Sequence, residues 1–195
     1  MTLTAIRPAT IADATHLAAL CDIAGEGFGS YFWSLMAAEG QSPFEVGGAR
    51  AMRDEGAFSW RNAHIAEAGG LVAGALVGYR IENQVDLQTV ADASHLVRPL
   101  IELESEVPGF WYVNVLAVFP EFRGEGIGRQ LLSHADQLGR AVGSRGVAII
   151  VASGNDGAMR LYAKAGYVER ARWPLTPFPG YRRGGDWVLM TKAHA

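Results

Sequence analysis

A chain of 195 residues is long enough to bury a substantial core as a single domain, residues 1–195. Its 49% hydrophobic and 19% charged content is that of a soluble globular protein. A net charge of −3 argues against nucleic acid as the main partner, because such binders carry a basic excess, and no apolar run is long enough to span a bilayer. Cys21 is the only cysteine, which excludes an internal disulfide, and its place on an apolar helical stripe points to packing. Residues 1–7 lack the basic start and apolar stretch of a signal peptide, so cytoplasmic residence is the default expectation.

In chain order, Ala5, Ile6 and Arg7 form a first strand closed by Pro8. Thr10 and Asp13 have the spacing of a capping box and open a helix, with Leu17, Leu20, Cys21 and Ala24 at helical intervals. Gly25 and Gly27 break it. Residues 31–38 read as a short aromatic-rich helix. Ser42, Pro43 and Glu45 supply a cap, a first-turn proline and an acid for another helix, which runs towards Glu55 although Gly47 and Gly48 weaken it. Residues 62–68 and 71–81 are strands joined by Gly69 and Gly70, a pair suited to a two-residue hairpin turn. Residues 82–108 form an insertion with one helix, from about residue 92 to residue 104. Its acids, Glu82, Asp86, Asp92, Glu102, Glu104 and Glu106, stand against a lone Arg98. They make either a solvated face or an attractor for a cationic amine.

Residues 112–119 are a β-branched-rich apolar run, read as a buried strand that Pro120 ends. The turn Arg123-Gly124-Glu125-Gly126-Ile127-Gly128 follows, then a helix with Ile127, Leu131, Leu132, Leu138 and Val142 on one face. Glycines let a backbone approach a ligand and aim N–H groups at it, and the first N–H groups of a helix have no partner inside it. The turn is therefore an anion site suited to a diphosphate. A dinucleotide fingerprint fails, because Arg129 stands where its third glycine belongs and residues 147–151 are wholly apolar where an acidic ribose partner is expected. A P-loop fails, because Gly128 is followed by Arg129 and Gln130. Further on, residues 146–152 are a second apolar strand and Ser153-Gly154-Asn155 a turn and cap. Ala158, Leu161, Tyr162 and Ala165 line one helix face that Gly166 stops. Residues 167–173 and 187–192 are strands around a Pro/Gly-rich loop at 176–185. Antiparallel strands followed by strand–helix–strand–helix–strand indicate an α/β fold, a mixed sheet with helices on both faces.

Two spaced segments, Arg123-x-x-Gly126-x-Gly128 and Asn155-x-x-Ala158-x-x-Leu161-Tyr162-x-x-x-Gly166-Tyr167, resemble the recurring segments of the GNAT superfamily of N-acetyltransferases. The resemblance implies the GNAT fold, a mostly antiparallel sheet with a parallel pair of strands at the acetyl-CoA site. It implies acetyl-CoA as co-substrate and no metal. Leu116, Ala117 and Val118 would offer backbone groups to the acetyl and pantetheine arm. Arg123, Gly124, Glu125, Gly126, Ile127, Gly128 and Arg129 would hold the pyrophosphate. Asn155 would bond the pantetheine region or simply cap its helix. Tyr162 would protonate the departing thiolate, or serve as a core tyrosine on its apolar stripe. Arg170, Arg172, Arg182 and Arg183 either meet an acidic group or are solvated.

A phenol, with its pKa of about 10, is protonated at neutral pH and donates once charge develops on sulfur. The attacking amine must also lose a proton. Some family members carry His or Glu on the central strand for this; here the stretch offers Tyr112 and Asn114, which are poor bases, so Glu104, Glu106 and Glu26 are candidates only. Backbone N–H groups of that strand would polarise the thioester carbonyl. The acceptor is expected to be a primary amine of a small molecule or peptide, attacking directly in a ternary complex, with neither nucleic acid nor membrane as partner. Phe28, Tyr31, Phe32 and Trp33 either line its pocket or pack in the core. One alternative is an inactive acyl-CoA-binding module acting as a sensor or interaction domain. The other is an enzyme for longer acyl groups or an oxygen acceptor. Homodimers are frequent in the family, and nothing in the sequence proves one.

Overall fold

Strand β1 (Leu3–Pro8) pairs antiparallel with β2 (Ala63–Ala68), which turns directly into β3 (Leu71–Arg80). Gly69 and Gly70 sit at φ 60° and 79°, the positive values that a two-residue type I′ turn demands. With β4 (Trp111–Val118), β5 (Gly146–Ala152), β6 (Val168–Pro174) and β7 (Asp186–Ala193), the strands form a seven-stranded sheet in the order β1-β2-β3-β4-β5-β7-β6. Around it run α1 (Ala14–Ala24), α2 (Phe28–Ser34), α3 (Pro43–Ala51), α4 (Arg98–Ser105), α5 (Ile127–Ala141) and α6 (Asp156–Lys164). Strands β4 and β5 run parallel, because α5 carries the chain back between them. The mixed, mostly antiparallel sheet read from the sequence is the sheet observed. This computed structural model describes residues 3–83, 90, 93–181 and 183–194.

The chain groups into two compact units. The first is Met1–Gly78, Asn114–Leu131 and Phe178–Tyr181; the second is Tyr79–Val113, Leu132–Pro177 and Arg182–Ala195. In the first, Leu17 and Leu20 of α1, Trp33 of α2, Ile65 of β2, Val77 of β3 and Val115 and Ala117 of β4 close one core. Arg7 ties β1 to the turn before α1 by two bonds to Asp13, at 2.9 and 3.0 Å, and to β2 through Glu67 at 2.7 Å. In the second, β5 and β7 are buried along nearly their whole length, as their unbroken apolar runs require.

Several boundaries differ from the sequence reading for local reasons. Helix α2 starts at Phe28, not near residue 31, because the Asp22 carboxylate accepts the Ser30 N–H at 2.7 Å and caps it from α1. Helix α3 ends at Ala51, short of Glu55. Helix α4 begins at Arg98, with Pro99 in its first turn; Asp92, read as its start, and Asp86 lie outside the described residues. Val142 is off the apolar face of α5. The helix stops at Ala141, Gly143 turns at φ 64°, and Val142 is left 52% exposed.

Candidate active site

The parallel register of β4 and β5 runs Trp111–Val147, Tyr112–Ala148 and Val113–Ile149, whereas β4 continues to Val118. Leu116, Ala117 and Val118 thus lie past that register, in the first unit. The same unit holds the turn. Pro120, Glu121 and Phe122 make one 3₁₀ turn, and Arg123 returns its Nε to the Val118 carbonyl at 3.2 Å. Gly124 and Gly126 then take φ 84° and 80°, a left-handed backbone that any side chain would strain. A Cβ on either would meet no protein atom within 4 Å. Ile127 is buried and anchors the first turn of α5, while Arg123, Gly124, Glu125, Gly126 and Arg129 are exposed and Gly128 is half-buried. The result is an exposed, doubly left-handed turn at a helix N-terminus, the geometry of an oxyanion-binding nest.

Asn155 and Tyr162 lie in the second unit, on the two ends of α6. Asn155 Oδ1 accepts the Ala158 N–H at 3.1 Å and so caps the helix, while its Nδ2 makes no hydrogen bond among the described residues. Tyr162 is a buried residue. Burial alone raises its pKa above the usual phenol value. Such a group remains protonated across the working pH range and offers its proton to a neighbour that becomes negative. Asp156 adds an acid to the first turn of α6, and Gly166, at φ 90°, ends it as expected.

The acids of the insertion fall into two classes. Glu82 pairs with Arg80, and Glu106 is exposed. Glu104 is only partly exposed, on α4, and accepts a hydrogen bond from the Tyr79 hydroxyl at 3.3 Å. Tyr112, its ring edge-on to Tyr79 at 5.7 Å, also favours the charged form of that carboxylate. Burial pushes Glu104 up to about 7, and the two phenols hold it from rising further. The sequence named Glu104 only as one of three candidate bases; its pairing with residues 79 and 112 required the fold. Of the arginines near the C-terminal strands, Arg172 is engaged by Glu169 and Asp186, Arg183 bonds the Gly154 carbonyl at 2.8 Å, and Arg170 lies over the Phe110 ring. Arg182 lies outside the described residues.

Two nucleophile candidates are unfit. The Cys21 thiol is pushed up to about 12 by burial and carries no thiolate at neutral pH. Ser144, His194 and Asp136 have the linear order of a hydrolytic triad, with Ser144 Oγ 3.0 Å from His194 Nε2 and His194 Nδ1 3.1 Å from Asp136. Ser144 is buried, however, and its Oγ also bonds the Gly146 carbonyl at 3.0 Å. A Cβ built on Gly139 would lie 2.9 Å from it. No acyl group fits there, so the trio is a clasp between the end of β7, α5 and the loop before β5.

In the first unit, Phe178 of the loop before β7 stacks on Tyr31 and Tyr181 and meets Phe28 edge-on, at centroid distances of 5.9, 5.1 and 5.3 Å. Phe32 stacks on Phe28, whereas Trp33 packs in the core against Phe58.

The sequence model of the Acetyltransferase (GNAT) family matches residues 31–167. The chain belongs to the GNAT family. Among solved structures, an N-acetyltransferase from Staphylococcus aureus Mu50 superposes with a TM-score of 0.68 at 16% identity, covering 97% of this chain and 100% of that one. A protein described as an acetyltransferase gives 0.67 at 20% identity, with 97% and 99% covered. A ribosomal-protein-alanine N-acetyltransferase from Brucella melitensis gives 0.62 at 20%, with 98% and 100% covered. These likenesses show that the GNAT fold extends over nearly the whole chain. No curated protein matches the chain. Among the described residues, no group of His, Cys, Asp or Glu is arranged to hold a metal ion, and no helix is long and apolar enough to cross a membrane.

Proposed function

We propose that this GNAT protein transfers acetyl from acetyl-CoA to a primary amine of a small molecule or peptide, by direct attack in a ternary complex. The observation that carries the reading is the glycine turn before α5, where Gly124 and Gly126 take left-handed backbone in open space; Tyr162, a phenol that burial keeps protonated, stands on the helix that Asn155 caps. The partner proposed for the Tyr162 hydroxyl is the coenzyme sulfur. Gly124 and Gly126 free a run of N–H groups for the diphosphate, and the exposed Arg123 and Arg129 add positive charge. Leu116, Ala117 and Val118 present backbone groups to the acyl arm, and an N–H there polarises the thioester carbonyl.

Direct attack is favoured over an acyl-enzyme because Cys21 is held as a thiol and Ser144 is walled in. As thiolate leaves, the phenol hydrogen-bonds it and passes its proton. Because burial raises the phenol pKa, that transfer lags behind C–S cleavage and completes only once the charge is on sulfur.

The test is thiol release from acetyl-CoA with a panel of primary amines and peptides. Tyr162→Phe should lower kcat about 10²–10⁴-fold and leave coenzyme affinity unchanged by calorimetry. Coenzyme binding without transfer to any amine would favour the sensor reading; preference for a longer acyl chain or a hydroxyl acceptor would redirect the substrate assignment.

A further inference from the structure

We propose that Glu104 receives the proton of the incoming amine, relayed through the hydroxyl of Tyr112. This rests on the acyl-transfer reading above and deepens it. The central strand carries no carboxylate or imidazole, and Tyr112 stands among its residues instead. Glu104 sits behind that phenol, on a helix of the insertion between β3 and β4. Tyr79 closes the other side, its ring edge-on to Tyr112 at 5.7 Å and its hydroxyl on Glu104 Oε2.

A desolvated carboxylate is costly unless a cation compensates it. None does. Arg80, next to Tyr79, is paired with Glu82. Helix α4 packs on β6 and β7, whose charged residues are Glu169, Arg170, Arg172, Asp186 and Lys192. Arg172 is engaged by Glu169 and Asp186, Lys192 faces Asp136, and Arg170 lies over Phe110. Among the described residues, burial, Tyr79 and Tyr112 are what act on Glu104. A structural role would be filled at lower cost by a glutamine or an apolar residue. The value of about 7 is instead that of a base poised at working pH.

The proton balance is complete. The acceptor arrives as R–NH₃⁺; Tyr112 passes its own proton to Glu104 as it takes one from nitrogen, leaving R–NH₂. The nitrogen lone pair attacks the thioester carbon, the C–N bond forms and the C–S bond breaks. Tyr162 protonates the thiolate and is reprotonated by the second proton that nitrogen sheds as the amide forms. Glu104 then releases its proton to water.

The experiment is the pH dependence of kcat/KM with acetyl-CoA and an acceptor from the amine panel whose own pKa is near 10, outside the window of interest. Wild type should show an acidic limb near pH 7. Glu104→Gln should lose that limb and about 10²–10⁴-fold in kcat/KM at pH 7, with coenzyme affinity by calorimetry unchanged as the control for folding. Glu104→Asp should recover part of the rate. In Tyr79→Phe the limb should move to higher pH, since one donor favouring the carboxylate is gone. Wild-type rates and an intact limb in Glu104→Gln would overturn the assignment and leave the acyl-transfer reading standing. A wild type that binds coenzyme but acetylates no amine would remove that reading, and this inference with it.

Discussion

Gly126→Ala separates folding from ligand binding at the glycine turn. Gly126 has φ 80°, and a Cβ there would meet no protein atom within 4 Å. The only folding cost is therefore the left-handed backbone, about 1–2 kcal/mol. For a chain of this length that lowers Tm by roughly 2–8 °C. Gly70 is a matched control. It has φ 79° and equally open surroundings, but belongs to the β2–β3 hairpin. Gly70→Ala should lose the same stability. The two should part in coenzyme A binding, measured by titration calorimetry at a temperature where both are folded. At residue 126 the new methyl stands in the space a diphosphate would occupy and displaces it from at least one charge-assisted hydrogen bond. That bond is worth about 1.5–3 kcal/mol, so affinity should fall roughly 10- to 100-fold. Gly70→Ala should bind as wild type does. Equal affinities in the two variants would refute the placement of the diphosphate on this turn, whatever their melting temperatures.

Stability should drop in acid through Asp13. Its carboxyl is held at about 2 in the folded chain, below its ordinary 3.8, by the Arg7 guanidinium and the Thr10 N–H and hydroxyl, against a smaller opposing cost of burial. A depressed value favours the folded state above the ordinary pKa, so about 2 kcal/mol is present above pH about 4 and drains away as pH falls towards 2. Urea unfolding should show Asp13→Asn less stable than wild type at pH 6 and converging with it at pH 2; a gap constant with pH would refute the linkage. Ser144→Ala should lose about 1–3 kcal/mol, since it strips partners from His194 and the Gly146 carbonyl, yet leave acyl transfer intact. Loss of transfer with retained stability would restore the triad as chemistry.

Much of the site was legible because its determinants are local. The turn at Gly124 and Gly126, the cap at Asn155 and the stop at Gly166 each depend on the conformational range of one residue or the reach of one short side chain. Strand alternation and helical spacing located the described strands and most of the described helices to within a few residues, and the order of elements was enough to expect a mixed sheet. The start of α2 was misplaced because of the Asp22–Ser30 bond across eight residues, which no periodicity records.

Residue order thus settled the alternation of elements, the family and the left-handed glycine turn, because chain geometry within a dozen residues dictates them. Only the tertiary structure decided which of several interchangeable acids matters. Glu104 differs from Glu106 by nothing in the sequence, and becomes distinct because folding buries it beside Tyr79 and Tyr112. Packing likewise decided that Cys21 is inert and that Ser144, His194 and Asp136, up to 58 residues apart, meet as a clasp. Desolvation and long-range contact are properties of the packed chain, and a linear sequence carries neither.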